Sequence, residues 1–137
     1  MALTSLVIIV DDNDDTRDAL DWILREEGFT TRVARDGREA IEILRSCEDP
    51  CAILLDHRMP NMDGLQFLEI REEKPILGLA PVIFISGDLQ ALAVSQSKGA
   101  IPVRKPFAID ELVELVRKLC TQQEATGALI TPSLSAR

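Results

Sequence analysis

The run Ala52-Ile53-Leu54-Leu55 is apolar at every position and is cut off by a carboxylate, Asp56. A strand with water on one face alternates apolar and polar side chains. A run without alternation is a strand covered on both faces, the kind that parallel sheets contain. Such a sheet needs helices as its cover and as its crossovers, so this one stretch predicts an α/β chain. It also delivers Asp56 to the carboxyl end of a buried strand, the edge at which open α/β sheets bind ligands. Asp is common in turns, and a plain capping role for Asp56 is the alternative at this point.

The rest of the chain fits that architecture. Leu6–Val10 reads as a first buried strand, rich in β-branched residues, and it too ends in acid, Asp11-Asp12. Asn13-Asp14-Asp15 has the composition of a helix N-terminus. The helix should run from about Asp14 to Glu27, burying Ala19, Leu20, Ile23 and Leu24, and stop at Gly28. Thr30–Val33 reads as a short, half-polar strand near a sheet edge. Asp36-Gly37 opens a second helix whose Ala40, Ile43, Leu44 and Cys47 recur at helical spacing. A third helix is expected from Gly64 to about Lys74, broken by Pro75 and Gly78.

Val82–Ile85 is a fourth buried strand, ending in Ser86-Gly87-Asp88. The helix expected over Leu89 to Lys98 has a weak apolar stripe and should be loosely held. Ile101–Arg104 is a brief fifth strand interrupted by Pro102, and Lys105-Pro106-Phe107 follows it. The last helix should run from about Ile109 to Cys120, with Ile109, Leu112, Val113 and Val116 on one face. Five strands alternating with five helices predict a doubly wound parallel sheet with right-handed crossovers, flavodoxin-like, in the order 2-1-3-4-5. Residues 1–120 form the expected domain, and 121–137 lose the periodicity, as a flexible C-terminal tail or linker would.

Composition narrows the function. A net charge of -8 on 137 residues argues against nucleic acid and against anionic membranes, whose phosphates would be repelled. No apolar run approaches the roughly 20 residues a membrane helix needs. Cys47, Cys51 and Cys120 make an odd count in a chain whose start lacks a signal-like charge pattern. That combination suits a reducing cytoplasm, with the cysteines as ordinary small apolar residues. Cys47 and Cys51 lack the second pair a zinc site needs.

The strand ends carry the chemistry. In the 2-1-3-4-5 order the first and third strands are neighbours, about 4.8 Å apart. Asp11, Asp12 and Asp56 would then crowd one edge. Like charges that close repel, and a proton or a cation must relieve them. A hard divalent ion suits oxygen ligands, and Mg2+ suits a site that keeps open water positions. Lys105 brings a mobile positive charge to the same spot and Ser86 a hydroxyl. A carboxylate nucleophile, a metal, a lysine and a hydroxyl together suit a phosphoryl group held as an aspartyl phosphate.

With these pieces in place, the chain from about Leu6 to Cys120 resembles the receiver domain of bacterial two-component response regulators. The matching residues are Val10-Asp11-Asp12, Leu55 to Gly64, Ile85-Ser86-Gly87, Gly99-Ala100 and Lys105-Pro106-Phe107. The resemblance implies that Asp56 accepts a phosphoryl group from a phosphohistidine. It implies Mg2+ held by Asp12 directly, by Asp11 mostly through water, by Asp56 and by the backbone carbonyl of Arg58. Lys105 would bind phosphoryl oxygens and Ser86 would be the switch hydroxyl. The implied partners are a histidine kinase or histidine phosphotransfer protein, meeting the first helix and the pocket loops, and an unknown downstream protein. Pro102 departs from the pattern: three residues before the lysine, the family usually carries an aromatic residue or a histidine. No output domain is expected after Cys120, so the chain resembles a stand-alone receiver or a piece of something longer.

Other residues receive plainer readings. Arg58 and Asp88 should rim the pocket, either as solvated loop charges or as an ion pair that hinders an attacking water. His57 is expected in an exposed loop, and Trp22 in helix packing. Asp11-x-Asn13-x-Asp15 imitates the opening of a calcium loop, but Thr16 and Trp22 stand where its Gly and Glu belong. Glycine-rich nucleotide signatures are absent from the sequence. An aspartyl-phosphate phosphatase like those of the haloacid dehalogenase family is the competing enzyme class; its second acid would fall at Asn13. A receiver fold acting only as a binding scaffold is a third reading, against which the acidic pair, Asp56 and Lys105 all count.

Overall fold

The structure, a computed structural model, describes residues 5–130. Five strands, β1 (Leu6–Val10), β2 (Thr30–Ala34), β3 (Ala52–Asp56), β4 (Val82–Ser86) and β5 (Ile101–Arg104), alternate with helices α1 (Asp14–Glu26), α2 (Gly37–Ser46), α3 (Gly64–Glu73), α4 (Leu89–Ser97) and α5 (Ile109–Ile130). A 3-10 turn, Pro75–Leu77, separates α3 from β4. The sheet is parallel throughout, in the order β2-β1-β3-β4-β5. The predicted order and element count hold.

The unbroken apolar runs have the cause the sequence suggested. Along β1, β3 and β4, alternate side chains enter two separate cores. Ile8, Val10, Ile53, Leu55, Val82 and Phe84 pack with Phe67 and Leu68 of α3, Leu44 of α2 and Leu92 of α4. Val7, Ile9, Ala52, Leu54, Ile83 and Ile85 pack with Leu20 and Leu24 of α1 and Leu112, Val113 and Val116 of α5. Every residue of β1, β3 and β4 is buried, whereas edge strand β5 is not. Pro102 sits in β5 opposite Phe84 without ending the strand, because an edge strand has one side with no ladder bond to donate.

The helices start on acids and an asparagine. Asn13, Asp36, Asp63 and Asp88 are the N-caps of α1, α2, α3 and α4, each accepting a backbone N–H of its own first turn. In α3 the bond is reciprocal, since Gln66 also accepts from the backbone N–H of Asp63. All four caps follow a strand directly or through a short loop, so they lie along the carboxyl edge of the sheet.

Three expectations need correction. Cys51 and Cys120 are joined in a disulfide across 69 residues of sequence, with Cys47 left free. They are not the independent small apolar residues that their count suggested. Fold placement brings them together: Cys51 precedes β3, and α5 lies across that strand with Cys120 in the same core. The last helix does not end near Cys120 but runs to Ile130, because Gln, Glu, Ala and Leu dominate the added segment and proline first occurs at Pro132. In α1, Trp22 is 64% exposed and so contributes little to helix packing, and Ala19, expected in the buried stripe, is exposed as well.

Gly64, the first residue of α3, joins the fold to the Asp56 loop. A Cβ there would lie 2.5 Å from the Asp56 carbonyl oxygen and 2.8 Å from the Phe84 ring, both buried and neither free to withdraw. Gly64→Ala should therefore destabilise the chain by about 1–3 kcal/mol, as other overpacked sites do, read from urea unfolding. A cost below about 0.5 kcal/mol would show that the loop yields more easily than this packing implies.

Candidate functional site at the carboxyl edge of the sheet

The sheet register assembles the site. Val10 of β1 pairs with Leu55 of β3, so Asp11 and Asp56 follow side by side. Asp56 pairs with Ile85 and Ser86 with Arg104, which aligns Ser86 and Lys105 along the same edge. Carboxylate oxygens of Asp11, Asp12 and Asp56 all lie within 4.8 Å of one another. Asp11 and Asp56 are buried, and Asp12 is exposed.

Lys105 reaches into this group. Its Nζ lies 2.7 Å from Asp56 Oδ1. The ammonium neighbours that oxygen without an aligned hydrogen bond, so Oδ1 is buried and still has bonding capacity. The Asp11 carboxylate accepts the Asn13 N–H at 2.9 Å, and Arg17 donates to the Asp11 carbonyl. Burial pushes the Asp11 carboxyl above the ordinary carboxylate range, and the charges of Asp56 and Asp12 push the same way. The Asn13 N–H and the charge of Lys105 oppose that rise. The arrangement is one in which two buried acids and an exposed one share too little positive charge, and an oxygen-seeking cation would relieve them. Asn13, the position where a phosphatase of the dehalogenase type would need its second acid, is engaged as the α1 cap.

Beside the acids, His57, Arg58, Ser86, Gly87, Asp88 and Lys105 line an open cavity of about 280 Å³. Arg58 and Asp88 meet at its rim, 3.5 Å apart, Arg58 largely exposed and Asp88 partly so. Asp88 accepts the N–H groups of Gln90 and Ala91 as the α4 cap. The Ala91 N–H foremost, with the Gln90 N–H and the charge of Arg58, holds its carboxyl below the ordinary range. The loop between β3 and α3 is anchored from the other side. Asn61, at φ 64°, donates from its side chain to Asp36 at 2.7 Å, and Met62 accepts the Gly37 N–H.

Sequence reasoning misplaced His57. It is 8% exposed, not a free loop residue. Its Nδ1 lies 2.9 Å from Ser86 Oγ and its ring stands 5.4 Å from that of Phe84. A signal was present in the period of two. His57 N–H still donates to Ile85, so β3 effectively continues one residue past Asp56. The side chain then falls on the face of Ile53 and Leu55, towards Phe84. Asp11, Asp12, Asp56, Ser86 and Lys105 stand at the carboxyl edge as the sequence implied. The Arg58 side chain points to the rim.

Comparison with known proteins agrees with this geometry. Residues 7–117 match the model of the response regulator receiver domain family. The chain is 38% identical over 117 residues to the DNA-binding transcriptional regulator NtrC of Escherichia coli K12, covering 82% of this chain and 24% of that protein. It is 35% identical over 115 residues to sporulation initiation phosphotransferase F of Bacillus subtilis, covering 82% of this chain and 90% of that one. The receiver domain of the Francisella response regulator 1452 superimposes with a TM-score of 0.78 at 29% identity, over 86% of this chain and 98% of the other. The chain spans about a quarter of the length of NtrC and of similar relatives.

The crowding of acids makes a measurable prediction. Asp11→Asn keeps an oxygen for the Asn13 N–H and removes one negative charge. In chelator-containing buffer at pH 7 the variant should melt roughly 2–5 °C above the parent chain by circular dichroism. A carboxyl whose folded pKa is raised holds its proton longer when folded, so the parent loses stability as pH rises past the ordinary carboxylate value. The gap should therefore close below that pH. Equal melting temperatures at pH 7 would mean that the acids do not strain the fold.

Proposed function

The chain belongs to the response regulator receiver family, and on that premise we propose that it is a phosphoacceptor in a two-component phosphorelay. Asp56 takes a phosphoryl group from the phosphohistidine of a histidine kinase or a histidine phosphotransfer protein. The observation that carries the reading is Lys105 Nζ at 2.7 Å from Asp56 Oδ1, within an acidic cluster at the end of a buried sheet.

The residues fit Mg2+. Asp12, Asp56 and the Arg58 carbonyl would hold it, with Asp11 acting mostly through water; the three carboxylates are gathered, and Asp56 Oδ1 still lacks an aligned hydrogen bond. When bound, the ion supplies positive charge against the phosphoryl oxygens. A carboxylate oxygen of Asp56 attacks phosphorus, the bond from phosphorus to the histidine nitrogen breaks, and that nitrogen keeps the electron pair. Lys105 neutralises charge on the transferred group, and Ser86 donates its hydroxyl to one of its oxygens. The chain is then a signalling module whose only chemistry is self-phosphotransfer and autodephosphorylation.

The change would be read on the face of α4, β5 and α5, where Leu89 and Val94 are exposed. Residues 1–120 serve as the receiver and 121–137 as tail or linker, beginning as the helical extension to Ile130. No helix among the described residues is long and apolar enough to cross a membrane. A cytoplasmic site of action goes with this reading, and the Cys51–Cys120 bridge is the feature that a reducing compartment would work against.

Incubation of the full chain with acetyl phosphate and Mg2+ should add the mass of one phosphoryl group. The addition should disappear in Asp56→Asn and with EDTA in place of Mg2+. Persistence of the added mass in Asp56→Asn would move the acceptor elsewhere. Arg58→Ala and Asp88→Asn, the latter keeping the helix cap, should each speed loss of the phosphoryl group about twofold to threefold, the modest scale of an exposed ion pair. Unchanged decay rates would leave the pair without a part in shielding the site.

A further inference from the structure

His57 contributes nothing to the phosphoryl-transfer chemistry above, yet it is buried and bonded to the one hydroxyl that chemistry needs. Ser86 Oγ has two neighbours. It accepts the Asp88 N–H at 2.9 Å and lies 2.9 Å from His57 Nδ1. In either tautomer of the imidazole, this bond fixes Oγ beside His57. Strand alternation places Ser86 with Val82 and Phe84 and His57 with Ile53 and Leu55 on one face, while Asp56 follows Ala52 and Leu54 on the other. The hydroxyl is thus held on the face that Asp56 does not share.

We propose that His57 is a positioning residue for the switch: it holds the Ser86 hydroxyl in the unphosphorylated chain, so that phosphorylation must break the His57–Ser86 bond. The inference rests on Asp56 being the phosphoacceptor. Three observations support it. The cavity lined by His57, Ser86, Gly87 and Lys105 gives the side chains room to part. Gly87, where an added Cβ would meet only Lys105 Cβ at 3.9 Å, sits next to Ser86 in an uncrowded loop. Edge strand β5 carries Ile, Pro, Val and Arg, none with a hydroxyl or an aromatic ring to perform this role from the other side. The consequence reaches α4. Movement of Oγ also releases the N–H of Asp88, the residue that caps that helix.

The test is an equilibrium titration of the full chain with beryllofluoride and Mg2+, a noncovalent stand-in for a phosphoryl group, followed by amide NMR. His57→Phe keeps a ring against Phe84 and loses the bond to Ser86. His57→Asn carries a polar atom where Nδ1 stands and loses the ring. His57→Phe should bind beryllofluoride about fivefold more tightly, the scale of one net hydrogen bond no longer broken, and His57→Asn should stay within about twofold of the parent. In a Ser86→Ala background, His57→Phe should change binding by less than about twofold. In the parent chain the Asp88 amide and His57 Nδ1 resonances should both move on saturation.

Unchanged or weaker binding by His57→Phe, or the same change with and without the Ser86 hydroxyl, would reduce His57 to packing and overturn the proposal. Should His57→Phe fail to fold, the Nδ1 resonance of the parent decides alone, and a static signal overturns it. Those failures leave Asp56 as acceptor. A parent chain that binds no beryllofluoride and gains no phosphoryl mass would remove the acceptor reading, and this inference with it.

Discussion

Repulsion among Asp11, Asp12 and Asp56 is the force against which the carboxyl edge of this sheet is built. Three carboxylates within 4.8 Å of one another, two of them buried, would not persist on an unsupported loop. They persist because β1 and β3 are central strands, buried along their whole length and locked by two cores. The cost of gathering the charges is met by the packing beneath them, and the Lys105 ammonium offsets only part of it. An edge held in that condition is predisposed to take up cations and to respond when its charge changes. This connects a stability problem to the phosphoacceptor role proposed above.

The loops around the acids are tied down by local devices. The N-caps of four helices lie along this edge, and two of them do a second job. Asp36 accepts from Asn61 and so fixes the loop that follows Asp56. Asp88 meets Arg58 at the rim while holding the first turn of α4. A shift of the Ser86 loop therefore reaches a helix terminus directly, through a residue bonded to both. The opposite edge is secured differently. Cys51 and Cys120 anchor α5 to the start of β3, far along the strand from Asp56, before the helix continues to Ile130.

Much of this was legible in the sequence because the information is local. Apolar runs without alternation gave the buried strands, helical spacing gave the covering faces, and Asn13, Asp36 and Asp63 stood where helix starts were expected. Asp11, Asp12, Asp56, Ser86 and Lys105 were identifiable because each ends a strand, and parallel strands share one carboxyl edge. Two of the errors have a common origin: His57 looked free because its partner is 29 residues away, and Cys51 and Cys120 looked independent across 69 residues. Another was local, since Trp22 lies off the apolar stripe of α1.

The order of apolar, polar and turn-forming residues by itself determined a doubly wound α/β chain with acids, a hydroxyl and a lysine at its strand ends. Periodicity and capping act over one or two turns of backbone, so they are written where they act. Tertiary structure alone decided which strand-end side chains touch. The stagger between neighbouring strands and the face each side chain takes set the 2.7 Å approach of Lys105 to Asp56 and the pairing of His57 with Ser86. Both depend on how separate strands are laid beside one another, and no single stretch of chain carries that information.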